Sequence, residues 1–135
     1  MESFTVLVVD DFAAFRECVC SMLQGTEFHV VGQATDGLEA VQKARDCQPD
    51  LILLDIGLPK LHGIEAAQRI SVEGSRSKVI VVSQDEDPDV VKAVFSSGAC
   101  GYLLKSAMGA ELLHALTSVL RGETFLSGRL ASVAA

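Results

Sequence analysis

Residues 51–59 read Leu51-Ile52-Leu53-Leu54-Asp55-Ile56-Gly57-Leu58-Pro59, an unbroken apolar run that ends in a carboxylate and enters a turn marked by Gly57 and Pro59. Continuous rather than alternating apolar character is what a strand shows when both of its faces are covered. Four further runs share it: Thr5–Asp10, His29–Ala34, Lys78–Ser83 and Gly101–Lys105. Amphipathic stretches of helical length separate the five runs. The alternation predicts an α/β fold, a doubly wound parallel sheet assembled from five βα units.

The intervening stretches carry helix signals. In the first, Phe12, Phe15, Val19, Met22 and Leu23 recur at helical spacing, and Gly25 supplies a left-handed terminus. The second opens on Asp36 with Glu39 three residues on, a capping-box pattern, and stops before Gln48-Pro49 because the residue ahead of a proline avoids helical geometry. A third begins near Ile64. Asp87 caps a fourth, with Pro88 in its first position and Gly98 beyond its end. The last runs from about Ser106 through Leu113, Leu116 and Leu120 to Gly122, which leaves residues 123–135 as a tail or the start of a linker.

With 135 residues the chain has room for one hydrophobic core, since chains of roughly 100–200 residues usually form a single one. Apolar residues make up 49% of it, enough to cover both faces of the sheet, yet no run approaches the roughly 18 consecutive apolar residues of a membrane-spanning helix. The start, Met1-Glu2-Ser3-Phe4, lacks the positive charge of a secretory signal. A cytoplasmic protein without a membrane partner is expected. A formal net charge of −7 opposes direct binding to nucleic acid, which rests on Lys and Arg set against phosphates. Any DNA partner is therefore reached indirectly. Cys18, Cys20, Cys47 and Cys100 form no C-x-x-C pair, so buried or idle thiols are expected in place of zinc ligands or disulfides.

In an open parallel sheet the functional site lies beyond the carboxyl ends of the strands. The residues closing the runs are Asp10 with Asp11, Asp55, Ser83 and Lys105. Each is ordinary alone, the aspartates as helix caps or turn residues, the serine and lysine as surface groups. Together they place three carboxylates, a hydroxyl and an ammonium on one rim. Crowded carboxylates repel, so a proton is retained or a cation neutralises them. Mg²⁺ suits such a set, being held by one or two carboxylates with waters and phosphate oxygens. Lys105 and Ser83 suit phosphoryl oxygens, and the whole suits phosphoryl transfer.

These residues resemble the receiver domains of two-component response regulators. The likeness runs from Phe4 to Gly122 and is carried by Val8-Val9-Asp10-Asp11, by Leu53-Leu54-Asp55-Ile56-Gly57-Leu58-Pro59 with Gly63, by Val81-Val82-Ser83, and by Gly101-Tyr102-Leu103-Leu104-Lys105. The ending Leu120-Arg121-Gly122-Glu123-Thr124-Phe125-Leu126-Ser127 resembles the NarL/FixJ-type subfamily, whose members continue into a LuxR-type helix-turn-helix output domain. The resemblance implies a flavodoxin-like (βα)5 sheet of order 2-1-3-4-5 over residues 1–122. It implies that Asp55 accepts phosphate from a sensor histidine kinase, that Asp10, Asp11, Asp55 and the Gly57 backbone carbonyl hold Mg²⁺, and that Ser83 and Lys105 bind the phosphoryl oxygens. Tyr102 matches the switch aromatic, which turns inward when Ser83 moves and remodels the face of the fourth helix, fifth strand and fifth helix. A homodimer formed on phosphorylation is among the implied partners. The implied role is that of a switch which assists its own phosphorylation and dephosphorylation, and not of a turnover enzyme.

Some positions depart from the commonest family residues. Gly57 places no side chain over the site, Gln84 follows Ser83, His62 stands where Asp or Asn is frequent, and Ser106 replaces the usual proline after Lys105. Without proline a cis peptide there costs about 2.5–4 kcal/mol, and the sequence leaves the isomer open. His62, alone in a polar loop, is expected to be solvated and to take no part in metal binding or phosphorelay. A phosphatase of the haloacid dehalogenase type needs a second Asp two residues after its nucleophile, where this chain has Phe12 or Ala13. A dinucleotide site needs G-x-G-x-x-G after the first strand, which is absent. The remaining rival is a receiver-like module acting by protein contact alone, against which the intact acidic pair, Asp55, Ser83 and Lys105 argue.

Overall fold

The structure, a computed structural model, describes residues 2–130; Met1 and the end of the expected linker, residues 131–135, lie outside the described residues. Strands β1 (Phe4–Val9), β2 (Phe28–Ala34), β3 (Leu51–Asp55), β4 (Lys78–Ser83), β5 (Gly101–Leu104) and β6 (Phe125–Leu126) alternate with helices α1 (Ala13–Leu23), α2 (Gly37–Cys47), α3 (Gly63–Val72), α4 (Pro88–Ser96) and α5 (Met108–Leu120). All strands pair in parallel in the order β2-β1-β3-β4-β5-β6. This is the expected flavodoxin-like sheet with one strand added.

Alternate residues of the central strands feed two cores, because successive side chains of a strand point to opposite faces. Leu7, Val9, Ile52, Leu54, Val79, Val81 and Leu104 pack with α2, α3 and α4. Val6, Val8, Leu51, Leu53, Ile80, Val82 and Leu103 pack with α1 and α5. Both faces are covered, which is why these strands are continuously apolar. Strand β2 differs, with His29, Val31 and Gln33 exposed between Phe28 and Ala34, both of which are buried. It lies at the sheet edge, where half the side chains face water.

Local chemistry sets the helix ends. Asp36 Oδ1 accepts from the Glu39 N–H at 2.8 Å, and Glu39 Oε1 accepts from the Thr35 N–H at 2.7 Å, one residue earlier than in the standard capping box. The Thr35 bond holds the Glu39 carboxyl below its ordinary range. Asp87 accepts from the Asp89 N–H beside Pro88, as expected. His62 takes the same role for α3, its Nδ1 accepting from the Ile64 N–H at 3.2 Å, so the exposed imidazole is a helix cap. Gly63 is required by space. A Cβ at this position would lie 2.5 Å from the Asp55 carbonyl oxygen and 2.7 Å from Ile56 Cα, and its absence lets α3 start against the end of β3.

Several expectations need correction. The last helix does not begin at Ser106; Lys105–Ala107 form a 3-10 turn and α5 starts at Met108. Leu113 is 46% exposed, and it is Leu112, Leu116 and Val119 that face the sheet. Phe12 is no core residue of α1 either, being 69% exposed. The Lys105–Ser106 peptide, whose isomer the sequence leaves open, is trans. The four cysteines are free, as expected of idle thiols, although none is buried.

The main addition is β6. The stretch after Gly122 does not leave the domain directly: Phe125–Leu126 pair with Gly101–Tyr102, and Leu130 is buried in the core under α4. Ser127 extends the ladder with a side chain. Its N–H donates to the Tyr102 carbonyl at 3.0 Å, and its hydroxyl oxygen accepts from the Leu104 N–H at 2.8 Å in a site without solvent exposure. Loss of that acceptor leaves a buried backbone donor unpaired, at a cost of about 1–3 kcal/mol. Urea denaturation of Ser127→Ala is therefore expected to show a stability loss of about that size, and a variant as stable as the parent would contradict the assignment of β6 to the folded unit.

Candidate functional site

Asp10 follows β1 and is fully buried. Its Oδ1 accepts from the Phe12 N–H at 2.9 Å, in place of a side-chain cap on Phe12 itself. Its carbonyl accepts from Arg16 Nη1 at 2.7 Å, and the same guanidinium donates through Nε to Gln33 Oε1 at 2.9 Å. Asp10 is thereby held by α1 and β2 as well as by its own strand. Asp11 is exposed at the rim. Asp55 closes β3 with little exposure. One carboxylate oxygen from each of Asp10, Asp11 and Asp55 lies within 4.8 Å of the others.

Lys105 enters this cluster from the end of β5. Its ammonium lies 2.9 Å from Asp10 Oδ2 and 3.3 Å from Asp55 Oδ1, with its side chain 17% exposed. It also sits over the Phe15 ring, 4.6 Å from the centroid. Burial pushes the Asp55 carboxyl above its ordinary range, the Asp10 charge pushes the same way, and Lys105 opposes both. Burial alone would lower the Lys105 ammonium, but its bonds and charge interactions with Asp10 and Asp55 outweigh it and hold the group above its usual value. One ammonium against three carboxylates leaves excess negative charge, and hard oxygen donors this close together fit a small divalent cation.

Ser83 ends β4 between the β3 and β5 termini and is almost fully buried. Its hydroxyl oxygen accepts from the Asp85 N–H at 3.0 Å. Tyr102 is fully buried with its ring turned inward, and its hydroxyl donates to the Asp85 carbonyl at 2.7 Å. Burial pushes the phenol up, with the Ser83 side chain pulling the other way. Asp85 thus uses its N–H on Ser83 and its carbonyl on Tyr102. Gly57 lies exposed two residues beyond Asp55, with open space where a Cβ would stand.

The structure therefore brings Asp10, Asp11, Asp55 and Lys105 together, sets Ser83 on the adjoining strand end, and joins Tyr102 to Ser83 through one loop residue. Sequence patterns did not single out the contacts of Phe15, Arg16, Gln33 or the Asp85 backbone with this group. Phe15 lay within an apolar helix period, and an arginine bonded to a carbonyl leaves no spacing signal.

Residues 6–117 match the family model of the response regulator receiver domain. Among curated relatives, the chain is 36% identical over 127 residues to the transcriptional regulatory protein LiaR of Bacillus subtilis, covering 93% of this chain and 60% of that protein. It is 33% identical over 135 residues to the nitrate/nitrite response regulator protein NarL of Escherichia coli, covering 99% and 62%. The chain thus spans about three fifths of the length of these curated relatives. Among solved structures, a LuxR-family two-component response regulator from Aurantimonas superposes with a TM-score of 0.93 at 28% identity, over 98% of this chain and 96% of that one. The receiver domain of a response regulator NarL from Mycobacterium tuberculosis superposes at 0.87 with 31% identity, over 91% and 100%. Sheet order, acidic cluster and family match agree: the chain belongs to the receiver domains of two-component response regulators.

Proposed function

We propose that the chain is a phosphorylation-dependent switch in which the Asp55 carboxylate takes a phosphoryl group from a phosphohistidine of a sensor kinase. The observation that carries this reading is the convergence of Asp10, Asp11 and Asp55 with the Lys105 ammonium. An Asp55 oxygen bonds to phosphorus as the bond to the donor's imidazole nitrogen breaks, and the imidazole keeps the electron pair. Asp10, Asp11, Asp55 and the Gly57 carbonyl are the groups that would hold Mg²⁺. Bound there, the cation offsets the crowded carboxylates and the charge of the phosphoryl oxygens. Lys105 supplies a point charge to one phosphoryl oxygen. Ser83 accepts from the Asp85 N–H, and its hydroxyl is the donor offered to another phosphoryl oxygen.

The output follows from the Asp85 link. A Ser83 hydroxyl drawn toward the phosphoryl group pulls on the Asp85 backbone, whose carbonyl holds Tyr102, and so alters the face formed by α4, β5 and α5. In the full-length protein that face controls a C-terminal helix-turn-helix domain, through which alone DNA is reached, with a phosphorylation-driven homodimer as the means. The protein works in the cytoplasm. The competing reading, a module that signals by contact without phosphorylation, is disfavoured because every member of the site is retained.

Acetyl phosphate with Mg²⁺ is expected to add one phosphoryl mass to the wild-type chain and none to Asp55→Asn, as read by mass spectrometry. Equal labelling of both would refute the assignment. A second expectation concerns stability. Because the folded state raises the Asp55 pKa, the ionised carboxylate opposes folding at neutral pH; the penalty begins to fade as pH falls through the raised native value, where native Asp55 takes up its proton first, and is gone below the unfolded value, where both states carry it. In EDTA at pH 7, Asp55→Asn should melt higher than wild type by on the order of a few degrees, with the gain shrinking in acid. A lower melting temperature for the variant under those conditions would contradict this electrostatic account.

A further inference from the structure

We propose that Phe15, which has no reactive group, is a positioning residue for Lys105: its ring keeps the ammonium at the rim when a divalent cation and a phosphoryl group claim the lysine's carboxylate partners. The inference rests on the phospho-acceptor function proposed above. Phe15 lies in the first turn of α1, half-buried, and packs against the core that contains Val8, Leu103 and Met108. The ring is thus packed against the core to which the strands leading into Asp10 and Lys105 contribute. Its upper face meets the Lys105 ammonium at 4.6 Å from the centroid, within the range of attraction between a cation and an aromatic quadrupole.

Among the described residues the lysine has three partners: Asp10, Asp55 and this ring. Two of them are carboxylates that a metal ion would also take, and its positive charge would repel the ammonium. The ring carries no lone pair suited to a hard cation, so its hold on Lys105 is independent of what the carboxylates bind. A lysine side chain released from both carboxylates and lacking this support would have to be ordered again to meet a phosphoryl oxygen, which weakens that contact. Phe12, the other aromatic at the start of α1, stands 69% exposed, and the ammonium contact belongs to Phe15.

The test uses the full chain loaded with Mg²⁺ and titrated with beryllofluoride, a phosphoryl mimic, by calorimetry. Phe15→Leu keeps apolar bulk without the quadrupole and is expected to weaken beryllofluoride by about two- to fivefold. Mg²⁺ affinity measured alone should be unchanged, and the motion of the Lys105 ε-carbon, read by ¹³C relaxation in the Mg²⁺-loaded protein, should increase. Phe15→Tyr should restore both the affinity and the relaxation. Wild-type affinity and relaxation in Phe15→Leu would overturn the inference. So would an equal loss of Mg²⁺ and beryllofluoride binding, or failure of the tyrosine variant to rescue, since either marks a merely structural role. If the wild-type chain takes no beryllofluoride in Mg²⁺, the proposed function falls and this inference with it.

Discussion

The Lys105 ammonium, 2.9 Å from Asp10 and 3.3 Å from Asp55, is the contact around which the rest of the site is organised. It joins the ends of β5, β1 and β3 across the intervening end of β4. Two nearly buried carboxylates would be costly without a partner, because burial disfavours the charged form and their charges repel. Lys105 offsets that cost in part, and the raised Asp55 pKa shows that it does not remove it. The fold thus tolerates a local electrostatic penalty at a place where a cation could relieve it.

Around this contact, the neighbouring elements each hold one part. Arg16 and Gln33 fix the Asp10 backbone from α1 and β2. Asp85 connects Ser83 to Tyr102 with the two polar groups of a single peptide backbone position. On the far side of β5, Ser127 and β6 bind the strand that carries Tyr102 and leads into Lys105. The strand that carries Tyr102 is thus held by hydrogen bonds on both edges.

The fold by itself would support many activities, since function resides in the site that the fold carries. What favours the proposed phosphoryl chemistry is the combination of hard oxygen donors, an ammonium and a hydroxyl on adjoining strand ends. The reach of the chain matters too. It spans about three fifths of the length of the curated relatives, and the site lies within that span.

The sequence by itself determined what depends on neighbours along the chain. Strands β3 and β4 were legible to the residue, because double burial leaves an unbroken apolar run. Asp36 and Asp87 were legible as caps because capping reaches only three residues. Strand β2 was found, yet its exposed edge was not, since the position of a strand in a sheet is set by its partners. The two-residue β6 is too short to show a period, and its existence depends on the free edge of β5. The candidate site was legible as a set of strand-ending residues. Tertiary structure alone decided that Lys105 reaches both Asp10 and Asp55, that Phe15 lies beneath it, and that Asp85 joins Ser83 to Tyr102. Those contacts link residues far apart in sequence, and only the order in which the strands pair fixes the distances between them.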